Sequence, residues 1–298
     1  MTRAPPAPFI LGTVQLGLDY GLANRAGQPE GDAAWGLLDA ASAAGVATFD
    51  TAHAYGSSEV VIGEWLRARQ ATTSVITKVP PVRGAGLACA VDTFGESLQR
   101  LGLTSVAGLL LHRSVDWATD GLPAWAGQLR ESGRIAGFGV SVYDPVEIPD
   151  DPRIDMVQLP LNAFSPQIVQ STAIDRLRNR GARIYVRSVF AQGLLLLPAS
   201  EVTDGAAALK PHLAHFHAIA AEDRTSAAAL AIAAVRHLLP EAQLVLGAET
   251  ADQVTQLAAA ATMEVSASAV DEVLKLGRAI EPGLFDPRRW TRQTEARR

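Results

Sequence analysis

The chain lacks several features that would assign it to a functional class. It has a single cysteine, Cys89, so no intrachain disulfide can form and a reducing compartment is the natural expectation. No apolar run approaches the roughly 20 residues that a membrane span needs. The first residues, MTRAPPAPF, lack the apolar stretch of a secretory signal. We therefore expect a cytoplasmic protein that does not enter a membrane.

Positive charge is also sparse. The chain has 26 Lys and Arg against 31 Asp and Glu, and no basic stripe that would neutralise a phosphate backbone. Nucleic acid is therefore not an expected partner. His53 and His112, with the carboxylates near them in sequence, do not form a recognisable set of metal ligands, so we predict no metal site.

Short aliphatic runs, in contrast, recur through the chain and alternate with segments of helical spacing. The runs expected to form strands are 9–14, 46–50, 74–78, 106–112, 135–141, 155–160, 182–188 and 243–248. Helix candidates are 31–44, 57–69, 87–101, 122–132, 166–180, 225–238 and 250–261. Continuously apolar strands favour a parallel sheet that is covered on both faces. With no linker in sequence, this pattern predicts one domain over residues 1–298, a (β/α)8 TIM barrel.

Two segments fall outside this alternation. The stretch 189–224 is long for a loop, and 276–298 is polar with pairs of arginines. We expect each to form a flap over a pocket. A solvated terminus is the alternative for the second segment.

Four polar residues lie at or just after the ends of three successive predicted strands: Asp50, Tyr55, Lys78 and His112. Each alone has a structural explanation, such as a helix cap or a packing role. Together they should converge at the carboxyl-terminal mouth of the barrel, where such folds place their catalytic groups. An ammonium beside a phenol favours loss of the phenolic proton, a carboxylate holds that ammonium in place, and an imidazole can orient a substrate oxygen. The set predicts proton-transfer chemistry.

The strings FDTAHAYGSSEVVIGEWL, ITK, SLQRLGL, LLLH, SGRIAGFGVS, VQLPLN and VLGAETADQV occur in this order over about residues 9–262. They resemble the aldo-keto reductases. The resemblance implies a barrel that reduces small aldehydes or ketones with a nicotinamide cofactor. Tyr55 would be the general acid, Lys78 and Asp50 its tuning pair, and His112 the residue that orients the carbonyl. The opening GTVQLGLDYGLAN resembles a bacterial branch associated with sugar metabolism, which points to a sugar-like substrate.

The same resemblance assigns the nicotinamide end of the cofactor. Ser141 and Gln158 match positions that hydrogen-bond the carboxamide, with Asn162 nearby, whereas Val142 stands where many members have Asn. Thr13 resembles a residue near the nicotinamide ribose. Its alternative role is to satisfy backbone groups at a strand end.

For the phosphates, the segment 187–195 resembles the pyrophosphate loop, with Ser188 and Gly193 as its contacts. Arg187 stands where many relatives have an aromatic residue that stacks on the nicotinamide. A guanidinium is planar but charged, so Arg187 either stacks on the reduced cofactor or reaches an anionic group on the substrate.

The adenosine end is expected near Gly247, Glu249 and Gln253. NADP(H) is the family's usual cofactor. However, an acidic side chain suits a ribose hydroxyl and repels a phosphate, so Glu249 makes NAD(H) credible.

Candidate pocket walls are Trp117, Phe190, Phe285 and Trp290, although scattered aromatic residues usually serve packing. A competing function comes from a different class. The chain would then be a cofactor-binding barrel with little or no catalysis that acts as a regulatory or interaction subunit, as the family's potassium-channel β-subunits do. The altered positions Val142 and Arg187 leave room for that function.

Overall fold

The computed structural model of the chain describes residues 9–82, 84–202, 204–281 and 284. Eight parallel strands follow one another around a closed barrel, and β1 pairs with both β2 and β8. They are β1 (Ile10–Gly12), β2 (Thr48–Asp50), β3 (Ser74–Val79), β4 (Gly108–Leu111), β5 (Phe138–Ser141), β6 (Met156–Pro160), β7 (Arg183–Arg187) and β8 (Gln243–Gly247). Each coincides with a predicted run to within a few residues at its ends. The predicted (β/α)8 TIM barrel is confirmed.

The α-helices lie outside the barrel. They are α1 (Gly31–Ala43), α2 (Ser58–Arg69), α3 (Gly86–Leu101), α4 (Leu122–Glu131), α5 (Thr172–Asn179), α6 (Lys210–Glu222), α7 (Ala227–Leu238), α8 (Ala251–Ala260) and α9 (Ala267–Ala279). The candidate helix 166–180 is shorter than predicted, because Pro166–Gln170 forms a 3-10 turn ahead of α5. No helix in the described ranges is long and apolar enough to cross a membrane.

The prediction of a flap over 189–224 was wrong for its second half, which holds α6. Leu213, Phe216 and Ile219 recur at helical spacing and are buried. Phe216 packs edge-on against Phe164, with 5.9 Å between the ring centroids. This apolar stripe is covered by the rest of the fold, which explains why the segment is helical. The helix α9 was also missed. It includes the first residues of 276–298, and most of the remaining tail lies outside the described residues.

The barrel interior consists of two layers. An apolar layer is formed by Ile10, Ile76, Leu110, Met156, Tyr185 and Val245. Residues two apart in a strand point to the same face, so the next position toward the carboxyl end also faces the interior. Those positions are Gly12, Lys78, His112, Gln158, Arg187 and Gly247. The apolar layer therefore forms a floor beneath a polar layer that opens at the mouth.

Candidate active site

A cavity of about 610 Å³ opens at the carboxyl ends of the strands. Its volume is in the range of small-molecule sites. The predicted site residues that line it are Thr13, Asp50, Tyr55, His112, Ser141, Gln158, Arg187, Ser188, Gly193, Gly247, Glu249 and Gln253. Lys78 is fully buried and pairs with Asp50 at the wall. The structure thus brings together residues that are up to 240 positions apart, from Thr13 to Gln253.

A buried ion pair lies at the wall of this cavity. Lys78 Nζ lies 2.7 Å from Asp50 Oδ2 and also donates to the carbonyl oxygen of Thr51 at 2.8 Å. Gln158 Nε2 donates to the other carboxylate oxygen of Asp50 at 2.8 Å. Burying a charge is costly unless its partners are well placed. Here both charges have such partners, so the Lys78 ammonium is held in a defined position.

Tyr55 lies directly over this pair. Lys78 Nζ is 5.1 Å from the centroid of the Tyr55 ring, and the ring of His112 meets it edge-on with 5.8 Å between centroids. A phenol, an ammonium and an imidazole therefore share one wall of the cavity.

The loop that carries Tyr55 is positioned by a close backbone contact. A Cβ on Gly17 would overlap the carbonyl oxygen of Tyr55 and come within 2.7 Å of the Ser58 amide nitrogen. A Cβ on Gly56 would likewise overlap the carbonyl oxygen of Gly17. Glycine at both positions lets the loop after β1 pack directly on the loop after β2, which fixes where the Tyr55 side chain starts.

The imidazole of His112 is held in its neutral form. Burial is the main cause that lowers its pKa from 6.5 to about 4, and the charges of Lys78 and Arg187 lower it further. Its Nδ1 is buried with no hydrogen-bond partner among the described residues. The other ring nitrogen is therefore the one available to a ligand. A neutral imidazole that carries its single proton on Nε2 can donate a hydrogen bond to a substrate oxygen.

Thr13 and Asn162 both form hydrogen bonds with the protein backbone. The Thr13 hydroxyl donates to the backbone oxygen of Asp50 at 2.9 Å and accepts from Ser58 Oγ at 2.9 Å. Because Thr13 also lines the cavity, its contact with the nicotinamide ribose stays a prediction. Asn162 Nδ2 donates to the backbone oxygen of Ser188 at 3.4 Å, where it tethers the loop after β7. Ser141 lines the cavity beside Gln158, its register partner on β6.

The loop after β7 has an unusual backbone. Ser188, Ala191, Gln192 and Gly193 have φ values of 59°, 50°, 58° and 89°. Left-handed residues are costly for side chains other than glycine, and they occur where a site needs a particular backbone shape. Turns of this kind can align N–H groups into a concavity that binds anions. The loop therefore fits the phosphates of a dinucleotide.

Glu249 and Gln253 lie at the other end of the cavity. The Glu249 amide donates to Gln253 Oε1 at 2.7 Å. Burial, with a smaller contribution from Asp19, raises the pKa of the Glu249 carboxyl. Gly247 presents bare backbone, because a Cβ there would come within 2.7 Å of the Gln15 side chain. This end offers carboxylate and amide groups that suit ribose hydroxyls.

Sequence reasoning missed several polar residues of the lining: Gln15, Tyr20, Tyr143, Gln192 and Gln256. Tyr143 follows Ser141 by two positions, so the strand-end rule could have found it. Gln15 and Tyr20 lie in the loop after β1, where no periodicity predicts which side chains turn inward.

The candidate pocket walls had mixed outcomes. Phe190 lines the cavity. Trp117 does not: it packs on Phe138 at 5.5 Å between centroids, and its Nε1 donates to Asp151 at 3.2 Å. Phe285 and Trp290 lie outside the described residues. Within those residues, no three His, Cys, Asp or Glu side chains are grouped to hold a metal ion.

Comparisons with known proteins identify the family and agree with the fold. The profile of the Aldo/keto reductase family matches residues 8–278. None of the curated proteins compared with the chain matches it. Three solved structures share the fold at 19–20% sequence identity.

Aldo-keto reductase AKR11C1 from Bacillus halodurans, in its holo form, is 19% identical with a TM-score of 0.71, over 94% of this chain and 95% of that one. Glycerol dehydrogenase AKR11B4 from Gluconobacter oxydans is 20% identical with a TM-score of 0.70 and the same coverage. An aldo/keto reductase from Klebsiella pneumoniae, solved with NADP and acetate, is 20% identical with a TM-score of 0.66, over 91% of this chain and 92% of that one.

Proposed function

Because the chain belongs to the aldo-keto reductase family of NAD(P)H-dependent oxidoreductases, we propose that it reduces an aldehyde or ketone to the alcohol with Tyr55 as the general acid. The observation that carries the proposal is the meeting of Tyr55, His112 and the Lys78–Asp50 pair at one wall of the cavity.

Each residue has a defined task in this reaction. The neutral His112 donates a hydrogen bond that orients the carbonyl oxygen near Tyr55. Tyr55 then gives its hydroxyl proton to that oxygen, and Lys78 stabilises the phenolate that remains. Asp50 and Gln158 hold Lys78 in place through the bonds described above. A bound nicotinamide supplies the hydride to the carbonyl carbon.

The chain's own residues suit a dinucleotide along the cavity. Ser141 and Gln158 would face the carboxamide, and the loop of Ser188 and Gly193 would hold the phosphates. Glu249 would bind the adenosine ribose, with Gln253 and the bare backbone of Gly247 beside it. A half-buried carboxylate there opposes a 2′-phosphate, which favours NAD(H) over the NADP(H) usual in the family.

The lining also supports a polar substrate. Gln15, Tyr20 and Tyr143 add amide and hydroxyl groups to the cavity. Such groups can hydrogen-bond to hydroxyls of a sugar-like carbonyl compound, the class indicated by the opening of the sequence.

Substitution of Tyr55 by Phe tests the proposal. A panel of aldehydes, ketones and sugars is assayed by nicotinamide oxidation with both cofactors. Loss of the general acid should lower kcat/KM by about 100- to 10,000-fold with cofactor affinity unchanged. Tyr185→Phe is the matched control, since it removes a hydroxyl from the apolar floor of the barrel, outside the cavity lining, and should remain within about threefold of the wild type.

Two results would contradict the proposal. Wild-type turnover that persists unchanged in Tyr55→Phe would remove Tyr55 as the acid. Tight cofactor binding without turnover of any carbonyl would instead support a cofactor-binding regulatory barrel.

A further inference from the structure

Arg187 is a charged residue of the cavity that the reaction above does not use. It ends β7 and lies two positions beyond Tyr185, which belongs to the apolar floor of the barrel. Its side chain is partly buried and lines the same cavity as Tyr55 and His112.

The guanidinium is directed toward the loop after β5. Its Nη2 donates to the carbonyl oxygen of Val142 at 3.1 Å, and its carbon lies 4.8 Å from the centroid of the Tyr143 ring. Both contacts belong to the loop after β5. The charge of Arg187 also helps to lower the pKa of the His112 imidazole. Arg187 is thus held in the cavity where the substrate carbonyl is proposed to bind.

This charge has no carboxylate partner in the part of the chain that the structure describes. Several other arginines pair with Asp or Glu: Arg25, Arg69, Arg100, Arg130, Arg153, Arg176, Arg178 and Arg183. No described acidic side chain forms such a pair with Arg187. In the cavity, Asp50 is already neutralised by Lys78.

The guanidinium also has unused donors. It carries five N–H groups, and its other hydrogen bond runs from Nη1 to Ser188 Oγ at 3.3 Å. The remaining N–H groups match the fork geometry of a carboxylate or phosphate. Stacking on Tyr143 and bonding to a backbone oxygen fix the group before any ligand arrives, which lowers the entropic cost of binding an anion.

We propose that Arg187 determines substrate specificity by binding an anionic oxygen group, a carboxylate or a phosphate, on the carbonyl compound that the enzyme reduces. The proposal rests on the function proposed above. It assigns Arg187 to the substrate and not to stacking on the nicotinamide.

The test compares charged and neutral substrates of similar size at constant ionic strength. The carboxylate arm compares succinic semialdehyde with butanal, and the phosphate arm compares glyceraldehyde 3-phosphate with glyceraldehyde. Arg187→Met should lower kcat/KM for the charged member of at least one pair by about 10- to 100-fold, and for its neutral member by less than about threefold. The arm that responds identifies which anion is recognised.

Two further variants distinguish binding of an anion by the Arg187 side chain from the effect of any positive charge near the mouth. Arg187→Lys keeps the charge without the fork and should lose less than Arg187→Met. Arg113 is exposed, directly follows His112 and does not line the cavity. Arg113→Met removes the same charge near the mouth and should leave the charged-to-neutral ratio unchanged.

A binding measurement makes the proposal independent of turnover. Calorimetry on cofactor-loaded protein should show wild type binding butyrate or inorganic phosphate more tightly than butyramide, with that preference lost in Arg187→Met.

Equal losses for charged and neutral substrates, together with weaker cofactor binding, would mean that Arg187 stacks on the nicotinamide and would overturn the proposal. Turnover of neutral carbonyls without any anion preference would also overturn it while leaving the proposed function intact. Absence of all turnover with anion binding retained would refute the function alone.

Discussion

His112 and Arg187 line the cavity, Lys78 pairs with Asp50 at its wall, and the polar surroundings of these three side chains differ. Lys78 Nζ lies 2.7 Å from the Asp50 carboxylate and also donates to the Thr51 carbonyl oxygen. Gln158 donates to the other oxygen of the same carboxylate. His112 has no such partner and is mostly shielded from water, so its neutral form is favoured. The site therefore has a neutral hydrogen-bond donor beside fixed positive charge, a combination that stabilises negative charge developing on a carbonyl oxygen.

The lowered pKa of His112 predicts how stability depends on pH. The unfolded imidazole takes up a proton near pH 6.5, whereas the folded one does so only near pH 4. The contribution of His112 is thus complete above about pH 6.5 and is lost as the pH falls toward 4. Between pH 7 and pH 5, urea unfolding of the wild type should lose about 1–2 kcal/mol more than unfolding of His112→Asn.

A matched control for this measurement is His237→Asn, which removes an exposed histidine at the end of α7. It should show the wild-type pH dependence. Parallel stability curves for wild type and His112→Asn between pH 7 and pH 5 would show that the imidazole is not held neutral.

Among the structural elements, the loops after β1, β2 and β7 position most of the site. The first packs on the second through Gly17 and Gly56. It also meets the third, where the Leu22 amide donates to the Gln192 oxygen at 2.9 Å. These loops have no regular ladder of their own, so their geometry depends on contacts with one another.

The contact between Gly17 and the loop that carries Tyr55 predicts how a substitution at a residue that takes no part in the reaction affects stability and activity. Gly17→Ala forces a Cβ against backbone atoms, so the loop must shift. We expect a loss of about 1–3 kcal/mol in unfolding free energy from overpacking and a fall in kcat of about 10- to 100-fold from displacement of Tyr55. Denaturant unfolding measures the change in unfolding free energy, and steady-state kinetics measure the change in kcat.

Gly36→Ala is the corresponding control. Gly36 lies inside α1 and has open space where a Cβ would be placed. The change should leave kcat unaltered and stabilise the helix by about 0.5–1 kcal/mol. If Gly17→Ala behaved like this control, the close backbone contact would not be what positions Tyr55.

For the whole molecule, cofactor binding should appear as a gain in stability. A ligand that binds only the folded chain stabilises it by about 2.7 kcal/mol at 100 times its Kd. Because Glu249 is proposed to oppose a 2′-phosphate, NADH should raise Tm more than NADPH at equal concentration. Thermal unfolding of wild type and Glu249→Gln with each cofactor measures the difference, which should shrink in the variant.

Glu264→Gln is the control for charge alone, since it removes an exposed carboxylate from the segment between α8 and α9. It should keep the wild-type difference between the cofactors. A larger Tm shift with NADPH in the wild type would refute the argument from Glu249.

Local sequence determined the order of the elements, and it singled out Asp50, Tyr55, Lys78 and His112, whose catalytic roles stay a prediction. An aliphatic run predicts a parallel strand, and a polar residue at its end predicts the mouth of a barrel. Both patterns can be read from the sequence because each involves only residues that are close together in the chain. That residues 1–298 form one domain stays a prediction, since the two ends of the chain lie largely outside the described residues.

Tertiary structure alone decided which loop side chains turn inward and how charges pair. From the sequence alone, Arg187 could either stack on the nicotinamide or bind an anion. Its orientation toward Val142 and Tyr143 depends on the loop after β5, a strand that does not pair with β7. Tyr20 and Gln15 line the cavity because their loop packs against other loops. Trp117 lies outside the cavity lining because it packs on Phe138 and donates a hydrogen bond to Asp151. Contacts between segments far apart in the chain leave no periodic signal, so only the closed barrel determines them.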